Sequence, residues 1–235
     1  LAVLNLEGVQ TRYEKPEDLL REITQAPVDQ VGSLMQQVYS KQINERYVGE
    51  RIQAIKQRGG VCAVSVTPAN AKRLAAIVVE AGADVLVVQS TVTTARHTSR
   101  SLRGLIFSEL CQSVPIPVVV GNCVSYSAAL ELMKTGISGL LAGVGPGATC
   151  TTRQVLGIGV PQVTATMDCA AARDDYFHDT GKYVPVITDG GIHAGSDLCK
   201  ALVAGADAVM LGAVLAQAEE APGAGYHWGM SSPHP

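Results

Sequence analysis

The sequence predicts an α/β protein, a (β/α)8 barrel of the TIM type that lacks its first β/α unit. Three observations carry this. Short β-branched runs alternate with longer helical patterns, as in parallel strands joined by crossover helices. The runs are apolar continuously and not alternately, which suits strands covered on both faces. One joint also recurs: Ala81-Gly82-Ala83-Asp84-Val85-Leu86-Val87-Val88 returns as Ala204-Gly205-Ala206-Asp207-Ala208-Val209-Met210-Leu211, and more loosely as Thr135-Gly136-Ile137-Ser138-Gly139-Leu140-Leu141. Each copy reads as a helix ended by a left-handed glycine, then a turn and an apolar strand, so the joint marks a repeated unit.

Taken in order, strands are expected at 1–6, 61–66, 85–88, 117–120, 139–143, 184–188 and 208–212. Residues 13–60 carry more charge and fit two helices, 16–25 and 43–58, with a weaker strand signal at 31–35. Helical patterns at 68–81, 127–135 and 196–204 separate later strands. These strands with right-handed crossovers fit an incomplete barrel better than a six-stranded open sheet. No Pro- or Ser-rich linker divides the chain, so residues 1–235 are read as a single, partial barrel domain. The chain opens inside an apolar run without Met, and it is expected to be cut from a longer protein.

Composition narrows the function class. With 18 Lys+Arg against 21 Asp+Glu and a net charge of −3, no basic stripe for nucleic acid or anionic lipid is expected. The aromatic rings are Phe107, Phe177, Trp228 and 7 tyrosines, too few for a base-stacking platform. No apolar run reaches the roughly 18 residues of a membrane span. The 6 cysteines (62, 111, 123, 150, 169 and 199) include no Cys-x-x-Cys pair and no Cys/His cluster at zinc spacing. Without a visible targeting segment, that pattern predicts reduced thiols and a cytoplasmic place.

A barrel keeps its chemistry in the loops at the strand carboxyl ends. Here those loops are Gln89-Ser90-Thr91, Gly121-Asn122-Cys123, residues 143–152, Asp189-Gly190-Gly191 and Gly212-Ala213. If the first unit is the missing one, the last two follow strands seven and eight, where glycines let backbone N–H groups and a helix N-terminus face a phosphate. Residues 143–153 read Gly-Val-Gly-Pro-Gly-Ala-Thr-Cys-Thr-Thr-Arg. That loop presents Cys150 beside two hydroxyls and the cation of Arg153, the setting that gives a thiol its nucleophilic form. Cys62, Cys111, Cys123, Cys169 and Cys199 read instead as small apolar residues.

The run Gly143-Val144-Gly145-Pro146-Gly147-Ala148-Thr149-Cys150-Thr151-Thr152, followed by Gly157-Ile158-Gly159-Val160-Pro161-Gln162, resembles the active-site loop of the IMP dehydrogenase/GMP reductase family. Val186-Ile187-Thr188-Asp189-Gly190-Gly191-Ile192, residues 205–212 and Glu220-Ala221-Pro222-Gly223 resemble its later motifs in order and spacing. The wording is nearest to the short branch of that family without the regulatory CBS pair.

The resemblance implies an oxidoreductase that turns IMP into XMP with NAD. Cys150 matches the nucleophile that adds to C2 of the purine; Thr152 matches the hydroxyl that helps activate water. Asp189 matches the acid that bonds the ribose hydroxyls, and Gly190, Gly191, Gly212 and Ala213 match the phosphate donors. Gln89, Ser90, Asn122 and Gly143 fall on the cofactor side. The carbonyls of Gly145, Gly147 and Cys150 match a potassium site, and members usually assemble as homotetramers. Gly229 and Met230 stand on the substrate side, where the match ends and the mobile flap with its catalytic arginine begins; His227 and His234 read as a solvated tail.

Three departures bear on function. Ala148 and Ala213 replace serines that commonly hold the phosphate, and Gln89 stands where an aspartate usually meets the cofactor ribose. The first strand falls outside the match, which would leave two strand edges open. Rival readings are a GMP reductase using NADPH, a phosphosugar isomerase or lyase barrel, and a nucleotide-binding fragment without activity.

Overall fold

The computed structural model describes residues 1–95 and 104–229. Its centre is one sheet of seven parallel strands: β1 (Ala2–Asn5), β2 (Cys62–Val66), β3 (Val85–Gln89), β4 (Val118–Cys123), β5 (Gly139–Ala142), β6 (Val186–Asp189) and β7 (Ala208–Met210). Spatial order equals chain order, and β1 and β7 are each paired on one side only. This curled α/β sheet with helices between its strands is an incomplete (β/α)8 barrel, as the alternating runs require.

Both faces of the sheet are apolar, and alternate residues serve each. Val64, Val66, Leu86, Val88, Val120 and Leu140 pack under the helices. Val87, Val119 and Leu141 form a second cluster on the other face, backed by Val3, Ile187 and Met210. Continuous apolar runs are the sequence trace of this two-sided burial. The helix layer comes from α3 (Glu45–Gln57), α4 (Pro68–Glu80), α5 (Phe107–Ser113), α6 (Tyr126–Met133) and α8 (Gln162–Thr180). Within it Ile52, Leu74, Val78, Leu132 and Met133 are fully enclosed. Shorter helices α7 (Thr152–Val155), α9 (Gly195–Val203) and α10 (Ala213–Ala216) flank the later strands.

The strand signal at 31–35 is overturned. Those residues lie inside α2 (Val28–Ser40), which follows α1 (Pro16–Gln25). Val31, Met35 and Val38 recur at helical spacing, and all three are buried against Leu20 and Ile23 of α1. This satellite cluster is separate from the main core and also takes in Trp228, whose indole N–H donates to the Tyr39 hydroxyl at 2.8 Å.

The recurring joint has a physical content. Asp84 N–H donates to Cys62 O at 2.8 Å, and Cys62 N–H donates back to Asp84 Oδ2 at 2.7 Å. Asp207 repeats the pattern with Val186, at 2.9 and 2.8 Å. In the looser copy Ser138 keeps the backbone half alone, donating to Val118 O at 2.7 Å. Each aspartate therefore clasps the first residue of the preceding strand through both its amide and its carboxylate. A cation completes each clasp: Lys56 on Asp84, and Arg173 on Asp207. The clasps sit at the amino ends of the strands, leaving the carboxyl ends for the site.

Candidate active site

Four strand ends converge. Asn5 closes β1, Gln89 closes β3, Asn122 lies in β4 and Asp189 closes β6. With the loop after β5 they line one cleft of about 350 Å³. The register of β4 against β5 slips between Gly121 and Cys123, so Asn122 is left out of the ladder. Such a bulge re-aims a side chain. Here the Asn122 amide donates to Asp189 Oδ2 at 2.8 Å, across the end of β5. Gln89 reaches the same oxygen at 2.8 Å and donates to Asn122 Oδ1 at 3.1 Å. Just past β5 the chain runs into Gly143: its φ is +140°, and a Cβ there would collide with the Asp189 carbonyl oxygen, so only glycine lets the two strand ends lie this close.

Asp189 is buried enough that desolvation pushes its carboxyl above the usual aspartate range, against the pull of the Asn122 and Gln89 donors. The described residues lining the cleft include no Lys or Arg, so amide dipoles alone oppose that push. Asp189 Oδ1 takes no hydrogen bond from the described residues. An acceptor of this kind, facing a cleft, suits a neutral donor pair such as a vicinal diol.

The loop after β5 delivers Cys150 to the same cleft. Cys150 N–H donates to Gly147 O at 3.0 Å, which closes a tight turn. Its half-buried thiol donates to Thr152 Oγ1 at 3.2 Å, where α7 begins. Gly190, at φ +87°, lies against this turn: a Cβ there would sit 2.9 Å from Pro146 Cγ and 3.0 Å from Gly147 N. Substitution at Gly190 would therefore push the Cys150 loop away from the Asp189 strand.

Arg153 departs from the sequence reading. Its guanidinium donates to Val160 O at 2.6 Å and Val144 O at 3.4 Å, so it braces the loop through backbone carbonyls, and among the described residues no hydrogen bond joins it to Cys150. Gln162, which the sequence did not single out, performs a related task. From the start of α8 it donates to Ala142 O at 2.7 Å and packs on Gly143, while its Oε1 is enclosed without a hydrogen-bond partner among the described residues.

Most of the sequence-selected residues meet at this cleft. Gln89, Ser90, Asn122, Gly143, Gly145, Gly147, Cys150, Thr152, Asp189, Gly190 and Gly229 line it. Ala148, Gly191 and Gly212, in loops, and Ala213, which begins α10, fall outside its lining. Ser90 turns its hydroxyl to Thr93 Oγ1 and Val92 O, at 2.8 and 2.9 Å. Asn5 and Trp228 also line the cleft; the strand-end rule applied to residues 1–6 would have found Asn5. His227 is not a solvated tail: it is half-buried, and its Nε2 is enclosed without a partner among the described residues. Met230 and His234 lie outside the described residues.

Comparison with known proteins adds a family. The sequence model described as the IMP dehydrogenase / GMP reductase domain matches residues 22–231. An uncharacterized oxidoreductase of Mycobacterium tuberculosis is 39% identical over 243 aligned positions, which take in 100% of this chain and 64% of that protein. The inosine-5'-monophosphate dehydrogenase of Cryptosporidium parvum is 41% identical over 63% of this chain and 34% of its own length. A crystal structure of an IMP dehydrogenase/GMP reductase-like protein from Corynebacterium glutamicum superposes with a TM-score of 0.87 at 36% identity, covering 95% of this chain and 59% of that one. The chain thus spans 64% of the length of its mycobacterial relative.

Proposed function

The chain belongs to the IMP dehydrogenase/GMP reductase family, and on that premise we propose that it is the nucleotide-binding and catalytic part of an oxidoreductase that converts IMP to XMP with NAD. The observation that carries this reading is the convergence of the Cys150–Thr152 pair and the Asp189–Asn122–Gln89 cluster on one cleft of about 350 Å³. That volume falls in the range of small-molecule sites, roughly 300–1,000 Å³.

In this reading Asp189 accepts from the ribose hydroxyls and fixes the purine over the loop that carries Cys150. The thiolate adds to C2 of the purine, forming a C–S bond. Bound NAD would supply the acceptor for the hydride that leaves C2. Water then adds to the same carbon, Thr152 holds its proton path, and the C–S bond breaks to release XMP and the free thiol. The protein contributes attack geometry and water control more than new chemistry. The phosphate would lie toward Gly190, Gly191, Gly212 and Ala213, held by main-chain N–H groups, since Ala148 and Ala213 carry no hydroxyl.

The potassium ion belongs to the same proposal. Gly147 O already accepts from Cys150 N–H, whereas no hydrogen bond to Gly145 O or Cys150 O is seen among the described residues. A carbonyl has two lone pairs, so all three oxygens keep acceptor capacity for a hard cation that would hold the loop's shape. A homotetramer and a cytoplasmic place complete the reading, the latter supported by six free thiols.

The second reading, a GMP reductase, uses the same cysteine with ammonia as leaving group and NADPH as hydride donor. It is supported by the GMP reductase of Leishmania donovani, which is 41% identical over 76% of this chain and 35% of its own length. Incubating the full-length protein with IMP and NAD, or with GMP and NADPH, while following reduced-nicotinamide absorbance separates the two. Cys150→Ala is expected to lower either rate at least about 100-fold while nucleotide binding persists, because covalent catalysis needs the sulfur. A variant that keeps its rate overturns the assignment, and turnover with neither pair overturns the activity.

A further inference from the structure

We propose that Gln89 is a positioning residue for the sugar of the bound nucleotide rather than a cofactor contact: it locks one oxygen of Asp189 so that the other faces the cleft. This rests on the preceding reading, in which Asp189 holds a ribose.

The argument starts from donor counting. A glutamine amide carries two N–H donors. In Gln89 one is directed at Asp189 Oδ2, 2.8 Å away, and the other at Asn122 Oδ1, 3.1 Å away. Asn122 then donates to the same Asp189 oxygen at 2.8 Å. The three side chains form a closed ring. Gln89 sets the orientation of the Asn122 amide, and both amides set the rotation of the carboxylate. No Gln89 donor is left for a second ligand, and an amide cannot accept from a diol with two equivalent oxygens as a carboxylate does.

The ring also needs its unusual backbone. Gln89 and Asp189 lie on β3 and β6, with two strands between them. The gap is bridged because β4 bulges at Asn122, and Gly143, just past β5, lets the chain lie close against the Asp189 backbone carbonyl. The bulge serves the carboxylate through the Asn122 amide, and Gly143 serves the strand end that carries it. The carboxylate's free oxygen, Oδ1, is the ring's product.

The test compares IMP with 2′-deoxy-IMP on the full-length protein. Wild type is expected to prefer IMP. Gln89→Met, similar in length but without donors, is expected to weaken IMP about 10-fold, the scale of one hydrogen bond to a charged group. It should also shrink the preference for IMP, and the loss should fall on the nucleotide KM more than on kcat. Gln89→Glu, which sets a second carboxylate against Asp189, is expected to lose more. The KM for the nicotinamide cofactor should stay constant throughout. Should Gln89→Met fail to fold, Gln89→Asn, too short to reach, carries the same comparison.

A rise in cofactor KM with the sugar preference intact would make Gln89 a cofactor residue and overturn the proposal. An equal loss for both nucleotides would reduce it to a structural part. A wild type that binds the two nucleotides equally would remove Asp189 from the ribose while leaving the family activity standing. A wild type that binds no purine mononucleotide would take down the functional reading and this inference together.

Discussion

Among the described residues, Asp189 stands at the end of β6 with amides, not cations, donating to it. Desolvation raises its proton affinity in the folded protein above that of the unfolded chain, in spite of the Asn122 and Gln89 donors. The sign of the linkage follows. Between the unfolded and folded titration ranges the native state binds more protons, so the cost of this residue to stability grows as pH rises from the unfolded range through the folded one. Asp189→Asn is therefore expected to raise the melting temperature at neutral pH, and the gain should shrink as pH falls into the ordinary aspartate range. Nucleotide affinity should drop in the same variant. Thermal scans of both proteins across pH check the first statement; a melting temperature lowered at neutral pH would refute it. A site that sacrifices stability for a desolvated acid is a common sign of function. Cys123 is the opposite kind of residue. Its thiol is pushed strongly up by its hydrogen bond with Cys169, 3.8 Å away, and by burial, and it stays a core group beneath Asn122.

At the scale of elements, the strand-start clasps hold the sheet together where the site cannot. Burial pushes the Asp207 carboxyl up, but Tyr183, the Val186 N–H and Arg173 together outweigh it and hold the carboxyl low. A depressed acid adds stability above the unfolded titration range, and that stability is lost as pH falls through the folded one. Asp207→Ala is expected to cost about 2–3 kcal/mol, less than a fully buried pair because Asp174 still meets Arg173. Urea titrations measure that loss, and the acid side of the stability profile should flatten with it. The clasps were legible as a repeated string, although their bonding was not. Strands were legible too, because burial on both faces leaves continuous apolar runs. The helix at 28–40 was misread at 31–35, since its apolar residues are spaced among polar ones and only a partner helix reveals the stripe. The site divides in the same way. Cys150 and Asp189 could be chosen from loop chemistry and family resemblance. The bulge at Asn122, the Gln89 ring and the bracing role of Arg153 could not, because each is set by pairing or by partners distant in sequence.

The whole molecule has two packed regions of unequal size: the sheet with its helices, and the smaller cluster of α1, α2 and Trp228. Few buried residues hold the second, so it belongs to the low end of local stability. This chain has 1 Trp, placed in that smaller cluster and hydrogen-bonded to Tyr39. Trp228 fluorescence is therefore expected to change at lower urea than far-UV circular dichroism, which reports the helices of the main body; coincident transitions would show one cooperative unit instead. Because Trp228 also lines the cleft, saturating nucleotide should draw the two transitions together. The sheet's order has a consequence for biosynthesis. Every strand from β2 to β7 pairs with the one made just before it. A chain leaving the ribosome can dock each new strand on a partner already waiting, and Asp84 and Asp207 emerge just as the strand they fasten needs its start fixed. Assembly then runs from one edge to the other without a thread-through step, and the side-chain cluster of the cleft closes only when Asp189 arrives to meet Gln89 and Asn122.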